Sequence, residues 1–325
     1  MLSFIGRRLL QAMFVLLIIS IVSFMIQDKM GDPVRQMVGQ SVTLEQREAL
    51  QQELGLNDPM LIQYGRFLGR AIQGDLGTSY YYKEPTIDVI ASRLPATLEL
   101  SFAALVLVIL LAIPLGVFAA IHPKNLLSRA VLLFSTLGLS VPIFIVAVFL
   151  MYFFAIEWGL LPSFGRGETT SVFGLWQSGL FNRDGLRHLL LPSLSLAFVL
   201  TPIFIRLIRA EMMDVLQSDY IRYAWAKGIS APRIYFVHAL KNTMLPVITV
   251  GGIQLGTLVA YTILTESIFQ WPGMGLLFMD AVTRVDVPLI STYLIFVGVI
   301  FVVTNTLVDV VYSLVNPRVR IPGYS

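Results

Sequence analysis

The sequence predicts an all-α membrane protein with six transmembrane helices, some of them kinked, and three observations support that class. Hydrophobic residues make up 56% of the 325 residues and charged residues 13%, about half the share near 25% that soluble proteins carry. Six uncharged runs follow one another at 9–27, 100–121, 130–156, 189–205, 242–265 and 287–308, with lengths of 19, 22, 27, 17, 24 and 22 residues. A helix needs about 20 residues to cross the hydrocarbon core, so each run is long enough or nearly so. Finally, the connecting segments alternate in charge. The whole chain, 1–325, reads as a single transmembrane domain.

The first run follows Arg7 and Arg8, as in a signal peptide, but its 19 residues are long for that and no Ala-x-Ala site follows. It is expected to stay as an anchor. On the N-terminal side of the membrane the segments hold twelve basic residues against three acids, Asp309 at the end of the last run being left out of the count, and on the opposite side eleven against sixteen. Seven of those eleven lie in one long loop that counts little towards orientation. Both termini are therefore expected in the cytoplasm, with the loop at 28–97 outside. Within it, Thr43 and Gln46 have capping-box spacing, Leu50 and Leu54 share a face, and Gly55 provides a stop. A second helix is expected from Asp58-Pro59, with Met60, Leu61, Tyr64, Phe67, Leu68, Ala71 and Ile72 forming one apolar stripe. Such a loop suits a cap on the spans, a docking surface for an external partner, or both.

Prolines stand inside the runs at Pro114, Pro142 and Pro202, and near their starts at Pro192 and Pro246. Each removes a backbone donor that neighbouring helices, hydroxyls or water must replace. Glu99, Glu266 and Asp309 lie close to run ends, where interfacial solvation is expected rather than an ion site. The hydroxyl and amide groups of Ser135, Thr136, Ser140, Thr201, Gln254, Thr257, Tyr261 and Thr262 suit either a polar path or helix packing.

Several chemistries lack their residues. None of the five lysines, Lys29, Lys83, Lys124, Lys227 and Lys241, follows a glycine, so the sequence holds no phosphate-binding Gly-Lys-Ser/Thr loop. The three histidines, His122, His188 and His238, lie far apart in sequence and outside the middle of the runs. That spacing argues against a metal site and an intramembrane serine protease. There is no cysteine. Energy for any transport must come from outside this chain.

The polar stretch at 211–246 is the one plausible inlet. One helix is expected over about 211–227, closed by Gly228 in the left-handed conformation. Ser230 then serves as N-cap, with Pro232 in the first turn of a second helix ending near Thr243. From composition alone, this element could dock a protein subunit or lie on anionic lipid with Tyr220, Tyr223 and Trp225 at the interface.

AWAKGISAPRIYFVHALKNTMLP within this stretch resembles the EAA loop of binding-protein-dependent ABC importer permeases of the dipeptide and oligopeptide (also nickel) family. GDLGTSYYYKEPTIDVIASRLPATLELS, LRHLLLPSLSLAF, WPGMGLLFMDAV and DVVYSLVNPRVR are similar to family segments in the same order, so the likeness extends over essentially the whole chain. One departure is that Arg222 occupies the glutamate position of the general motif, as is common in the peptide branch.

The resemblance implies a non-catalytic permease subunit in the bacterial cytoplasmic (inner) membrane. Its cytoplasmic coupling loop is placed at 206–245. Implied partners are a second homologous permease, two cytoplasmic ATP-binding subunits, a periplasmic substrate-binding protein and membrane lipid, with no nucleic acid. It also implies no cofactor or metal in this chain, ATP and Mg belonging to the partner subunits. The residues placed at the ATP-binding subunit are Arg222, Ala224, Ala226, Lys227, Gly228, Ile229, Ala231, Pro232 and Arg233. Substrate contacts remain unassigned.

Overall fold

Local start and stop signals divide the chain more finely than the uncharged runs do. The computed structural model describes residues 2–30, 58–172, 174 and 176–315. In order, its elements are α1 (Leu2–Met30), α2 (Met60–Ile72), α3 (Thr86–Ile121), α4 (Leu126–Gly138) and α5 (Ile143–Leu150), which continues as a π-helical segment (Met151–Glu157). Strands β1 (Thr170–Val172) and β2 (Trp176–Ser178) follow, then α6 (Arg183–Leu216), α7 (Asp219–Ala226) and α8 (Ala231–Arg233), which runs into a second π-helical segment (Ile234–Ala239). The chain continues with α9 (Leu240–Phe269), α10 (Met274–Arg284) and α11 (Val287–Val315). Asn125 and Asn182 cap α4 and α6, each side-chain oxygen accepting a hydrogen bond at 2.9 Å from the N–H two residues on. Thr43, Gln46, Leu50, Leu54 and Gly55, expected to form an outer helix, lie outside the described residues.

The chain divides into two compact units. One comprises Met1–Pro95 and Pro272–Val303. In it α2 starts after Pro59 as expected, but its apolar stripe is only partly used. Phe67 is buried, and Phe24, Tyr64 and Phe67 form a ring cluster against α1. Leu61 and Ile72 stay 84% and 79% exposed. The α1 and α11 backbones approach closely: Ser23 and Ser291 each donate a hydroxyl to the other's carbonyl, at 3.1 and 3.2 Å. Small hydroxyl residues permit such contacts in lipid, where no hydrophobic force joins helices.

The other unit comprises Ala96–Trp271 and Thr304–Ser325. Its centre is α6, which packs against α4, α5 and α9. Leu196, Leu200, Ile205, Ile208 and Met212 of α6 and Leu100, Ala104, Val108 and Ala112 of α3 are buried in one core cluster. The four-residue spacing on α3 places its four members along one helical face. A Cβ at Gly116 of α3 would lie 2.9 Å from Ile208 Cβ and 3.1 Å from the Ile205 carbonyl oxygen. Gly116→Ala is therefore expected to push the two helices apart, lowering stability by about 1–3 kcal/mol, measurable as a lower midpoint of thermal unfolding in detergent.

The expected run at 130–156 is not one straight span. It consists of Leu126–Gly138 and Ile143–Glu157, bent by 112° at the break. Pro142 sits at the N-cap position of α5 with an extended ψ of 141°, and a proline disfavours helical geometry in the residue before it. Pro192, Pro202 and Pro246 instead lie inside helices. By length and composition, three described helices can cross a membrane, Thr86–Ile121, Arg183–Leu216 and Val287–Val308, or four if the bent pair is one span. The apolar helix Leu10–Ile26 is shorter.

The expected interfacial solvation of Glu99 and Glu266 is also corrected. Their side chains are buried, and the run ends are not the helix ends: α3 begins at Thr86 and α9 continues to Phe269. Glu266 accepts from the Thr97 hydroxyl at 2.7 Å. Glu99 binds the β1–β2 hairpin, an element absent from the all-α expectation. Arg166 Nη2 meets Glu99 Oε2 at 2.7 Å, and Trp176 Nε1 and the Gly179 N–H also donate to the carboxylate. The Asp309 side chain lies outside the described ones. Among the polar side chains considered for a path, Ser135, Thr136, Thr201 and Thr262 donate to carbonyls four residues earlier in their own helices, and the Thr257 side chain is outside those described.

Candidate functional site

The polar stretch begins as the end of a span. Helix α6 has 34 residues and so extends about 51 Å at 1.5 Å per residue. That exceeds a hydrocarbon core of about 30 Å, which lets the last turns, with Arg206, Arg209, Glu211 and Asp214, project beyond the apolar layer. The single helix expected over 211–227 is broken here. Gln217 and Ser218 close α6 through N–H bonds to Asp214 and Val215, and Ser218 turns extended before α7 starts at Asp219. Serine at an N-cap position followed by an acid in the first turn is a helix-start signal. Ser218-Asp219 is the sequence signal for this break.

Helix α7 is two-faced. Ile221 and Ala224 are buried in the core cluster, while Arg222, Tyr223, Trp225, Ala226 and Lys227 are exposed. Gly228 then adopts φ +74°, the left-handed conformation its identity predicts. Its N–H donates to the Trp225 carbonyl at 3.0 Å and the Ile229 N–H reaches back to Ala224 at 3.2 Å. This pair of bonds forms a Schellman closure, which satisfies carbonyls at the helix end. Ile229 packs against the core and so anchors the far side of the turn.

Ser230 takes the extended N-cap conformation, although its side chain makes no capping bond, and Pro232 occupies the first turn of α8. The second helix does not stop near Thr243. From Ala231 the chain remains helical through the π segment and α9 to Phe269, with Pro246 inside. A proline within a helix removes one bond without having to end it where neighbours compensate. A displacement applied at α8 would thus enter the apolar segment of α9 without an intervening loop. π-helical turns often occur at functional sites, and Ile234 and Ala239 bury this one against the core.

Of the nine residues placed at the site from sequence, Arg222, Ala226, Lys227, Gly228, Pro232 and Arg233 are exposed on one continuous segment. Ile229 and Ala231 are half-buried, and Ala224 is buried. Ala224 therefore supports the turn from within. Arg222 pairs with Asp219 at 3.3 Å, but both side chains are largely exposed, so the pair contributes at most about 1 kcal/mol and leaves Arg222 free to exchange partners. Lys227 Nζ lies 4.6 Å from the Tyr223 ring centroid, a weak cation–π contact when exposed. Tyr220 and Asn242 lie outside these nine positions. The Asn242 side-chain N–H donates to the Tyr220 hydroxyl at 2.6 Å, linking α7 to the start of α9.

Residues 112–321 match the family described as binding-protein-dependent transport system inner membrane component, and residues 1–101 match the N-terminal family of the same transport system membrane component. The dipeptide transport system permease protein DppB of Alkalihalophilus pseudofirmus is 36% identical over 332 residues, covering 98% of this chain and 100% of that protein. The oligopeptide transport system permease protein AppB of Bacillus subtilis is 35% identical over 322 residues, covering 98% and 100%. A solved structure of the MetNI methionine ABC transporter in an inward-facing conformation superposes with a TM-score of 0.56 at 16% identity, covering 70% of this chain and 96% of that one. At that identity the likeness concerns the fold. The two family matches and the full-length identity to peptide permeases place this chain in the binding-protein-dependent transport system inner membrane component family.

Proposed function

We propose that this chain is a permease subunit of an ATP-driven importer of dipeptides or oligopeptides, forming half of the translocation pathway. The observation that carries the reading is the exposed turn at Gly228, which leads into a helical run reaching from Ala231 to Phe269. The names of the full-length relatives support peptides as substrate.

On this reading the chain is one permease domain of six spans, with the bent pair α4–α5 counted as one and α1 and α9 as two more. Both termini and the coupling loop at 206–245 face the cytoplasm. A second homologous permease completes the pathway, and two ATP-binding subunits bind and hydrolyse ATP with Mg. A soluble protein delivers substrate from outside. Arg222, Ala226, Lys227, Pro232 and Arg233 contact an ATP-binding subunit, while Ala224, Gly228, Ile229 and Ala231 set the angle of the turn. Closure of the ATP-binding subunits displaces α8, and α9 transmits that movement to the pathway.

Gentle purification from native membranes tests the assembly. The expected result is a complex containing ATP-binding subunits that takes up a labelled dipeptide into proteoliposomes only with the soluble binding protein outside and ATP inside. Recovery of this chain alone, with uptake independent of ATP, would indicate a self-sufficient carrier instead. Competition by nickel but not by peptides would assign the same architecture to a different solute.

A further inference from the structure

The loop joining α2 to α3 is held far more firmly than a connector requires. Thr78 pairs with Pro85, the Ser79 N–H donates to the Glu84 carbonyl at 2.9 Å, and the Thr86 N–H closes on the Gly77 carbonyl at 3.0 Å. Asp286, itself buried, braces this closed loop. Its carboxylate accepts the Ser79 hydroxyl and the N–H groups of Tyr80 and Tyr81 at 3.2 and 3.1 Å, as well as the Leu289 N–H at the start of α11. Burial, and after it the Asp286 carboxylate, pushes the Tyr80 hydroxyl above its ordinary pKa.

Two residues other than glycine on this assembly, Lys83 and Val285, have φ of +60° and +55°. A β-branched residue there is uncommon and persists only where its surroundings impose the conformation. The braced tip presents Tyr81, which is 53% exposed, with the Arg284 guanidinium 3.8 Å from its ring centroid and Tyr82 edge-on at 5.0 Å. Lys83, Glu84 and Arg284 are exposed beside it.

We propose that this tip, 80–84 together with Arg284, is the docking point for the soluble substrate-binding protein. The inference rests on the transport reading above. Tyrosine and arginine are enriched among residues that dominate protein interfaces, and a surface already fixed in position loses little freedom on association. A tyrosine that merely anchors a span at the lipid interface needs no such bracing of its backbone. In the six-span arrangement the loop follows the first span and the coupling segment follows the fourth, which puts the tip on the outer side, where the soluble protein arrives.

The test uses the complete importer in lipid nanodiscs, with its dipeptide-loaded soluble binding protein as the probe. Tyr81→Ala is expected to raise the binding-protein concentration needed for half-maximal binding by about tenfold or more, on the scale of an aromatic interface residue. Tyr152→Ala, at an exposed tyrosine elsewhere, is expected to leave it unchanged. Equal binding by the Tyr81→Ala and wild-type complexes overturns the docking assignment and leaves the ring to the lipid interface. A wild-type importer that neither binds nor responds to any soluble binding protein overturns the transport reading itself, a result distinguishable from the first.

Discussion

Gly228→Pro is expected to leave the chain inserted and assembled while reducing ATP-driven uptake by about 100-fold, the scale of loss when a working geometry is misplaced by about 1 Å. Gly228 has φ +74° and donates its N–H to Trp225, whereas proline fixes φ near −65° and has no N–H. Both bonds of the Schellman closure are therefore disturbed, and α8 leaves α7 at a different angle. A Cβ at Gly228 would meet no atom within 4 Å, so Gly228→Ala isolates the conformational cost, about 1–2 kcal/mol for an L-residue in this region. Gly228→Asn should be milder still, since asparagine tolerates the left-handed conformation. The expected order of uptake is wild type, Asn, Ala and then Pro, with ATP hydrolysis persisting in the Pro variant. Wild-type uptake by Gly228→Pro would defeat the hinge role.

Removing Arg166 is expected to have the largest effect on stability. Glu99 and Arg166 retain only 3% and 9% side-chain exposure. Arg166→Ala would leave the carboxylate buried with the Trp176 and Gly179 N–H groups as donors, at a cost of about 3–5 kcal/mol. Replacing both charges with leucine, Glu99→Leu with Arg166→Leu, should recover most of that loss, because the single variant suffers from an unpaired charge more than from a missing attraction. Thermal unfolding in detergent and protease cutting within 165–182 provide two readouts. Equal stability of Arg166→Ala and wild type would show that the pair does not hold the hairpin.

The sequence made the helices legible where composition or a single residue dictates local geometry. Gly228, Ser230 and Pro232 mark the turn between α7 and α8 because left-handed backbone, an extended cap and a first-turn proline each favour a particular residue type. The break at Ser218-Asp219 was equally local but lay inside a stretch whose periodicity read as one helix. The 112° bend near Pro142 was less accessible: Pro202 and Pro246 look alike in sequence yet sit within continuous helices, and the neighbours that compensate a missing donor are tertiary. Burial of Glu99 was hidden for the same reason, since its partner Arg166 is 67 residues away in the chain. At the candidate site, sequence could name the segment but could not divide it into faces. Ala224 and Ala226 have the same side chain, and only packing puts one in the core and the other at the surface.

The most direct measurement of the coupling claim exploits the absence of cysteine. Ala226→Cys creates a single thiol on the exposed side of the Gly228 turn, which can carry a photoactivatable cross-linker in the assembled complex within native membranes. The account predicts a cross-linked product containing an ATP-binding subunit, with a yield that changes when ATP is added. Efficient labelling that gives products only with lipid, and none with an ATP-binding subunit in either nucleotide state, would contradict it.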